Sequence, residues 1–280
     1  MKTVHYFNGE WVPEEKLLIS VKDLSVVRGF GVFDFLRTYQ GKPFRNKEHV
    51  ERFFTSAEFL GLTVPADQST VIKIVEDGIA RNGLPETGVR LTLTGGVSND
   101  PYMVTPGKPS FIVTFGSINS PPATLYEKGG TVITTPHVRH MPRAKSLNYL
   151  VAVIAQKEAR KVGAVEAVYM DAKSGQIYEG TIANLFVVKD GVVITPHADI
   201  LLGITRKVAL ELCDQLGLEH REEDLNSKDL NTYDEMFITG TTKEIMPIIK
   251  FDSTRIGDGN PGLVTRRIIQ AFDQLVGKKG

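Results

Sequence analysis

Arg143-Ala144-Lys145-Ser146-Leu147-Asn148-Tyr149-Leu150 sets one lysine at the join between an extended segment and an apolar helix. Upstream, Thr131-Val-Ile-Thr-Thr135 reads as a strand with Pro136 behind it. Downstream, Leu150, Val151, Ile154, Ala155 and Glu158 keep helical spacing. A lysine alone is most often a solvated surface charge, but a strand-to-helix junction holds a side chain against a rigid frame. Two further signals stand around it. A carboxylate lies downstream at Glu179 in Tyr178-Glu179-Gly180-Thr181, and phosphate-binding pieces occur at Arg52, Gly203-Ile204-Thr205 and Gly240-Thr241-Thr242. An amine, an anion and a set of phosphate donors suit an aldehyde cofactor.

The frame for that chemistry is an ordinary globular composition. The 280 residues are 41% hydrophobic and 24% charged, enough for one large domain or two medium ones. Lys plus Arg and Asp plus Glu are both 33. That balance gives no electrostatic reason to expect nucleic acid or an anionic membrane, so small molecules are the expected partners. The one cysteine, Cys213, occupies an apolar helical position in Val208–Leu216, which predicts a buried thiol in a reducing compartment. Met1–Gly9 lacks the apolar run of a signal peptide, and no stretch approaches the ~18 apolar residues of a membrane span. A cytoplasmic location is the expectation. The six histidines show no ligand spacing with Cys or carboxylates, so no metal is expected.

Outward from Lys145 the elements fall into two groups. His5–Val12 flanks Asn8-Gly9, a hairpin signal. Val32–Tyr39 alternates towards Gln40-Gly41, preceded by the loop Val27-Arg28-Gly29-Phe30-Gly31. Asn46 is the expected cap of a helix whose stripe is Val50, Phe53, Phe54, Ala57 and Leu60, ended by Gly61, with Arg52 just off the stripe. A second helix spans about 67–81 from Asp67, followed by strands at Val89–Thr94 and Phe111–Phe115. The polar, Pro-rich stretch Gly116–Thr124 marks a boundary. Residues 1–118 are read as a small α/β domain, 119–124 as a linker and 125–280 as a large α/β domain carrying Lys145. In the latter, strands are expected at Ala167–Met170, Asn184–Val188, Val192–Ile194 and Glu235–Thr239, and helices from Thr205 to Gly217 and from Leu263 to Val276.

Pyridoxal phosphate needs an amine for its aldehyde, an anion by its pyridine nitrogen and donors for its phosphate. Thr205 at a helix start and Thr241 after Gly240 suit the phosphate, and Arg52 offers a bidentate fork. Taken singly, Thr205 also reads as a helix cap, Glu179 as a turn carboxylate and Tyr149 as core. Together, Arg143–Tyr149, Tyr178-Glu179-Gly-Thr-Ile-Ala-Asn184-Leu-Phe, Leu202-Gly-Ile-Thr-Arg206 and Thr239-Gly-Thr-Thr-Lys-Glu-Ile-Met-Pro247 resemble the class IV (fold type IV) pyridoxal-phosphate aminotransferases, from about Phe7 to Gln274. That family contains branched-chain aminotransferases, D-amino acid aminotransferases and aminodeoxychorismate lyases.

The resemblance implies a two-domain α/β fold of α+β type, like the D-amino acid aminotransferases, with pyridoxal 5′-phosphate between the domains. It also implies a homodimer or larger homo-oligomer in which a partner loop closes the pocket. It makes Lys145 the catalytic amine, pairs Glu179 with the pyridine nitrogen and gives Tyr149 the phenolic oxygen. Arg52, Ile204, Thr205 and Thr241 take the phosphate.

For substrate the sequence departs from the familiar patterns. Gly31-Val-Phe33 resembles the branched-chain enzymes, yet Arg28 and Gly88 stand where those tend to carry tyrosine. Thr94-Gly95-Gly96-Val97 replaces the Arg and His of familiar bacterial D-amino acid enzymes. Two guanidinium groups, Arg28 and Arg90, are left to bind carboxylate, with Phe33 and Thr242 as further substrate contacts. The open alternative for them is a surface loop charge and a structural ion pair. The Arg-rich pattern resembles a less common subgroup of D-amino acid aminotransferases. The expected reaction is transamination between D-amino acids and a 2-oxo acid, ahead of branched-chain L-amino acid transamination and of aminodeoxychorismate lysis.

Overall fold

Asn8 and Gly9 both take positive φ, 50° and 106°, so the chain reverses in two residues and pairs β1 (Val4–Phe7) with β2 (Glu10–Pro13). The structure is a computed structural model and describes residues 3–278. It divides into two units: the chain up to Asn119 with Arg143–Tyr149, and Ser120–Pro142 with the chain from Leu150 on.

In the first unit a short helix, α1 (Leu24–Val27), precedes β3 (Gly31–Tyr39) and β4 (Lys42–Pro43). Helices α2 (Asn46–Phe59) and α3 (Gln68–Asn82) follow, then β5 (Thr87–Thr94) and β6 (Phe111–Ser117). The strands form one sheet in the order β2-β1-β6-β5-β3-β4. Alternation sorts the side chains of β3 and β5. Val32, Leu36, Val89, Leu91 and Leu93 turn to one face and pack with Val50, Phe53 and Ala57 of α2 and Val71, Val75 and Ile79 of α3. Phe33 and Phe35 stand opposite Thr92 and Arg90 on the other face. The spacing-based expectation for α3 is met, with Asp67 as its cap accepting from Thr70 N at 2.7 Å. For α2 it is not: Arg45, at φ 53°, holds the cap position without a side-chain bond that caps the helix, and Asn46 is already helical.

The Lys145 segment belongs with this first unit and not, as its place in the sequence suggests, with the second. Backbone bonds strap it to β3: Phe33 N donates to Lys145 O at 2.9 Å and Leu147 N to Gly31 O at 2.8 Å, around a Val32–Ser146 bridge.

The second unit starts with α4 (Ala123–Lys128), so the expected linker already runs into a helix. It continues with β7 (Gly130–Pro136), α5 (Leu150–Lys161), β8 (Glu166–Met170), β9 (Gln176–Gly180), β10 (Asn184–Lys189) and β11 (Val192–Thr195). Then come α6 (Ile204–Gln215), β12 (His220–Glu222), β13 (Leu225–Asn226), β14 (Glu235–Gly240), β15 (Glu244–Phe251), β16 (Thr254–Arg255) and α7 (Leu263–Leu275). The sheet runs β12-β11-β10-β14-β15-β7-β8-β9-β13 with β16 on β15, and β9 also pairs with β10. That last contact, Glu179 opposite Asn184, closes β10, β14, β15, β7, β8 and β9 into a ring. Val132, Val168, Leu185, Val187, Ile238, Met246 and Phe251 build the core of this unit. Among the described residues no helix is long and apolar enough to cross a membrane, and no cluster of His, Cys, Asp or Glu is placed to hold a metal ion.

Candidate active site

Lys145 is half-buried in the first unit, its backbone N donating to the buried Oγ of Ser56 at 3.1 Å. Its Nζ lies 4.7 Å from the centroid of the Phe33 ring. The guanidinium of Arg90 lies 3.9 Å from the same centroid, and the Tyr149 ring meets Phe33 edge-on at 5.2 Å. Phe33 thus gathers the amine, one of the two candidate carboxylate binders and the candidate phenol donor. Cation–ring contacts of this kind contribute about 0.5–2 kcal/mol each.

Arg52 is fixed from the helix side of the sheet. Its Nε and Nη2 donate to Asp34 Oδ2 and Oδ1 at 2.8 and 2.9 Å, and His49 Nδ1 meets Asp34 Oδ1 at 2.7 Å. Asp34 is fully buried. Burial pushes its carboxyl up, but Arg52 and His49 outweigh that and hold it well below the usual carboxylate range. Such a bidentate pair holds the Arg52 guanidinium in one plane.

In the second unit the buried carboxylate of Glu179 is held by three donors. Arg139 Nη1 reaches Oε1 at 2.8 Å, Asn184 Nδ2 reaches Oε2 at 3.2 Å, and Leu201 N is 3.1 Å from both oxygens. Asn184 Nδ2 also donates to Leu201 O at 2.8 Å. The same side chain therefore ties Glu179 to the loop that enters α6. That loop demands glycine at 203, where a β-carbon would come within 2.0 Å of Asn184 Oδ1. Gly203 is the N-cap of α6 and offers no side-chain acceptor, so the first-turn amides are left to other partners and to an anion. Ile204 and Thr205 are the first two helical residues, with Thr205 second in α6 and not its opening residue. Thr241 and Thr242 sit in the tight turn between β14 and β15.

The structure thus gathers Lys145, Tyr149, Phe33 and Arg90 in one unit, with Arg52 braced beneath the same strand. Glu179, Ile204 and Thr205 are drawn together in the other by Asn184 and Leu201. Arg28 has different company from Arg90: its Nη1 and Nη2 donate to the carbonyls of Val27 and Tyr102, on exposed chain. Asp34, His49, Ser56 and Arg139 were given no site role by the sequence, and Asn184 entered it only as part of a motif. Asp34 did leave a signal, a carboxylate in phase with Val32 and Leu36 on the face that turns out to be buried. Arg139 left none, lying in an aperiodic segment. The donor set fits pyridoxal phosphate on this structure: an amine beside an aromatic ring, a buried carboxylate held by three donors, and a helix start that its own cap residue does not satisfy.

Comparison with known proteins agrees. Residues 31–251 match the amino-transferase class IV family. A putative branched-chain-amino-acid aminotransferase of Methanocaldococcus jannaschii is 37% identical over 98% of this chain and 97% of its own length. A D-alanine aminotransferase of Staphylococcus epidermidis is 34% identical, with 97% of each chain covered. The crystal structure of the Escherichia coli branched-chain amino acid aminotransferase superposes with a TM-score of 0.91 at 31% identity, covering 100% of this chain and 97% of that one. A second branched-chain amino acid aminotransferase, from T.th. and in complex with pyridoxamine 5′-phosphate, gives 0.91 at 28% identity, covering 100% and 96%.

Proposed function

The chain belongs to the class IV aminotransferases, enzymes that work with pyridoxal 5′-phosphate, and from that premise we propose that it moves an amino group between D-amino acids, such as D-glutamate and D-alanine, and a 2-oxo acid in a ping-pong cycle. Bound pyridoxal phosphate supplies an aldehyde that accepts the amino group and a protonated ring that withdraws electrons from the substrate Cα. Lys145 Nζ is the amine that would hold the aldehyde of the bound cofactor and, once freed by the substrate amine, would serve as the base and acid for the substrate Cα proton. Glu179 would accept from the protonated ring nitrogen, and Tyr149 would donate to the phenolic oxygen. Arg52, the first amides of α6 at Ile204 and Thr205, and Thr241 would hold the phosphate.

The observation that carries the substrate reading is the shared Phe33 ring, with Arg90 at 3.9 Å and Lys145 at 4.7 Å from one centroid. A carboxylate forked on Arg90 and the amine of Lys145 would share the Phe33 ring as a neighbour. Arg28 adds a second guanidinium, and Thr242 a hydroxyl, to carboxylate binding. Position 88 supports a pocket unlike that of the branched-chain enzymes. A β-carbon on Gly88 would meet the Phe35 ring at 2.9 Å, so a tyrosine there would first have to displace Phe35. The second reading, a branched-chain L-amino acid aminotransferase, is favoured by the M. jannaschii relative and by the E. coli structure. A third, an aminodeoxychorismate lyase, would release pyruvate without amino transfer.

The test mixes the enzyme loaded with pyridoxal phosphate, without any 2-oxo acid, with D-glutamate, D-alanine, L-leucine or L-glutamate, and follows the cofactor absorbance. Rapid conversion by the D-amino acids is expected. Conversion by the L-amino acids alone would transfer the enzyme to the branched-chain reading. The active form is a homodimer or larger, which the exposed apolar side chains of Leu150, Val153 and Ile154 on one face of α5 support. A reducing, cytoplasmic setting accords with the single buried thiol of Cys213.

A further inference from the structure

Glu166, at the start of β8, is a fully buried carboxylate with no part in the chemistry above. Its Oε1 accepts from Thr181 Oγ1 at 2.6 Å, Ala167 N at 2.9 Å, Thr181 N at 3.2 Å and, in a short bond, Gln156 Nε2. Its Oε2 takes the ammonium of Lys243 at 2.8 Å, and Lys243 Nζ also donates to Val165 O at 2.7 Å. Lys243 is itself buried.

The two ends of this ion pair touch two different parts of the cofactor chemistry. Thr181 stands two residues after Glu179. Lys243 closes the three-residue turn, between β14 and β15, that carries Thr241 and Thr242. The next residue, Glu244, has φ 52°, a left-handed conformation that is uncommon for a side chain of its size. The turn is therefore held in a costly shape, and the Lys243 bonds hold it from outside. A buried ion pair is often no more stabilising than well-packed apolar residues of the same volume. What it does supply is direction, because the ammonium must lie where the carboxylate and the Val165 carbonyl point. We propose that the Lys243–Glu166 pair is a positioning device that sets the Thr241 turn for the phosphate and locks it in register with the strand end carrying Glu179. The proposal rests on the reading of Thr241 as a phosphate contact.

The test compares pyridoxal phosphate with pyridoxal, which lacks the phosphate, by absorbance titration of the cofactor-free full chain. Lys243→Met and Glu166→Gln are each expected to weaken pyridoxal phosphate about tenfold or more, the scale on which supporting contacts around a bound group act. Pyridoxal should stay within about twofold. A merely structural pair would weaken both compounds alike or neither, and that result overturns the proposal. Should a single variant fail to fold, the Glu166→Gln/Lys243→Met double variant leaves no unpaired charge and gives the same comparison. Thr241→Ala separates the premise from the proposal. If it leaves the pyridoxal phosphate to pyridoxal ratio unchanged, the phosphate reading of Thr241 falls and the proposal with it. If Thr241→Ala shifts the ratio while the Lys243 and Glu166 variants do not, only the proposal falls.

Discussion

His49 is sealed in the first unit, and its environment makes it a pH sensor of stability. Burial lowers its pKa from the ordinary 6.5. Asp34 pulls the other way, and Arg52 and Lys145 reinforce the lowering. An unfolded chain therefore takes up a proton near pH 6.5 that the native histidine refuses until the medium is more acid, so stability falls as pH drops through that value. Asp34 acts in a lower window. Its folded pKa is depressed from 3.8, so its contribution is intact above 3.8 and is lost as pH falls below it. Thermal unfolding between pH 7.5 and 5 is expected to show a decline that flattens in His49→Gln, while a decline unchanged by that substitution would assign the acid sensitivity elsewhere. Cys213 takes no part in such switching, since burial pushes its thiol up to about 12. The sequence marks Lys145 and Glu179 because each sits in a motif. It hides the Asp34 brace because His49 and Arg52 approach from a different element, and separation along the chain conceals the meeting.

At the scale of elements, the legible parts are those whose causes are local. The Asn8-Gly9 hairpin and the Asp67 cap each depend on a few adjacent residues. β9 and β15 depend on neighbours far along the chain. β9 is short and follows directly on the turn at Asp171–Gly175, so its alternation is brief; its partners are β8, β13 and a single rung of β10. β15 contains Pro247, which reads as a strand breaker, yet it lies inside the sheet opposite Phe237, just before an irregularity at Ile248–Lys250. The start of α7 was legible, but its satisfaction was not. Gly262 at the cap has no side chain, and Glu235 of β14 supplies the acceptors instead, to Val264 N at 2.9 Å and Thr265 N at 2.7 Å. A carboxylate at a helix start satisfies orphan amides and opposes the positive dipole end. Glu235→Ala is expected to cost about 1–2 kcal/mol, read as a lower melting temperature, with the half-reaction at room temperature unaffected.

For the whole molecule, the class IV aminotransferase assignment was legible from four ordered motifs. The assignment of Lys145 to its unit was not, because the straps from Gly31 and Phe33 are backbone bonds that leave no residue signature. The assembly is open to direct test. Val153→Glu together with Ile154→Glu adds charge to an exposed apolar face of α5, and sedimentation is expected to show a smaller species than the parent. An unchanged mass would put the subunit contact on another surface. The path of the chain carries a practical consequence. It leaves the first unit after Asn119, returns for only the seven residues Arg143–Tyr149 and departs again. No single cut in the gene separates one folding body from the other. A chimaera that exchanges the first 119 residues for those of a relative inherits a β3 edge matched to a foreign insert, and has to carry the relative's counterpart of Arg143–Tyr149 as well.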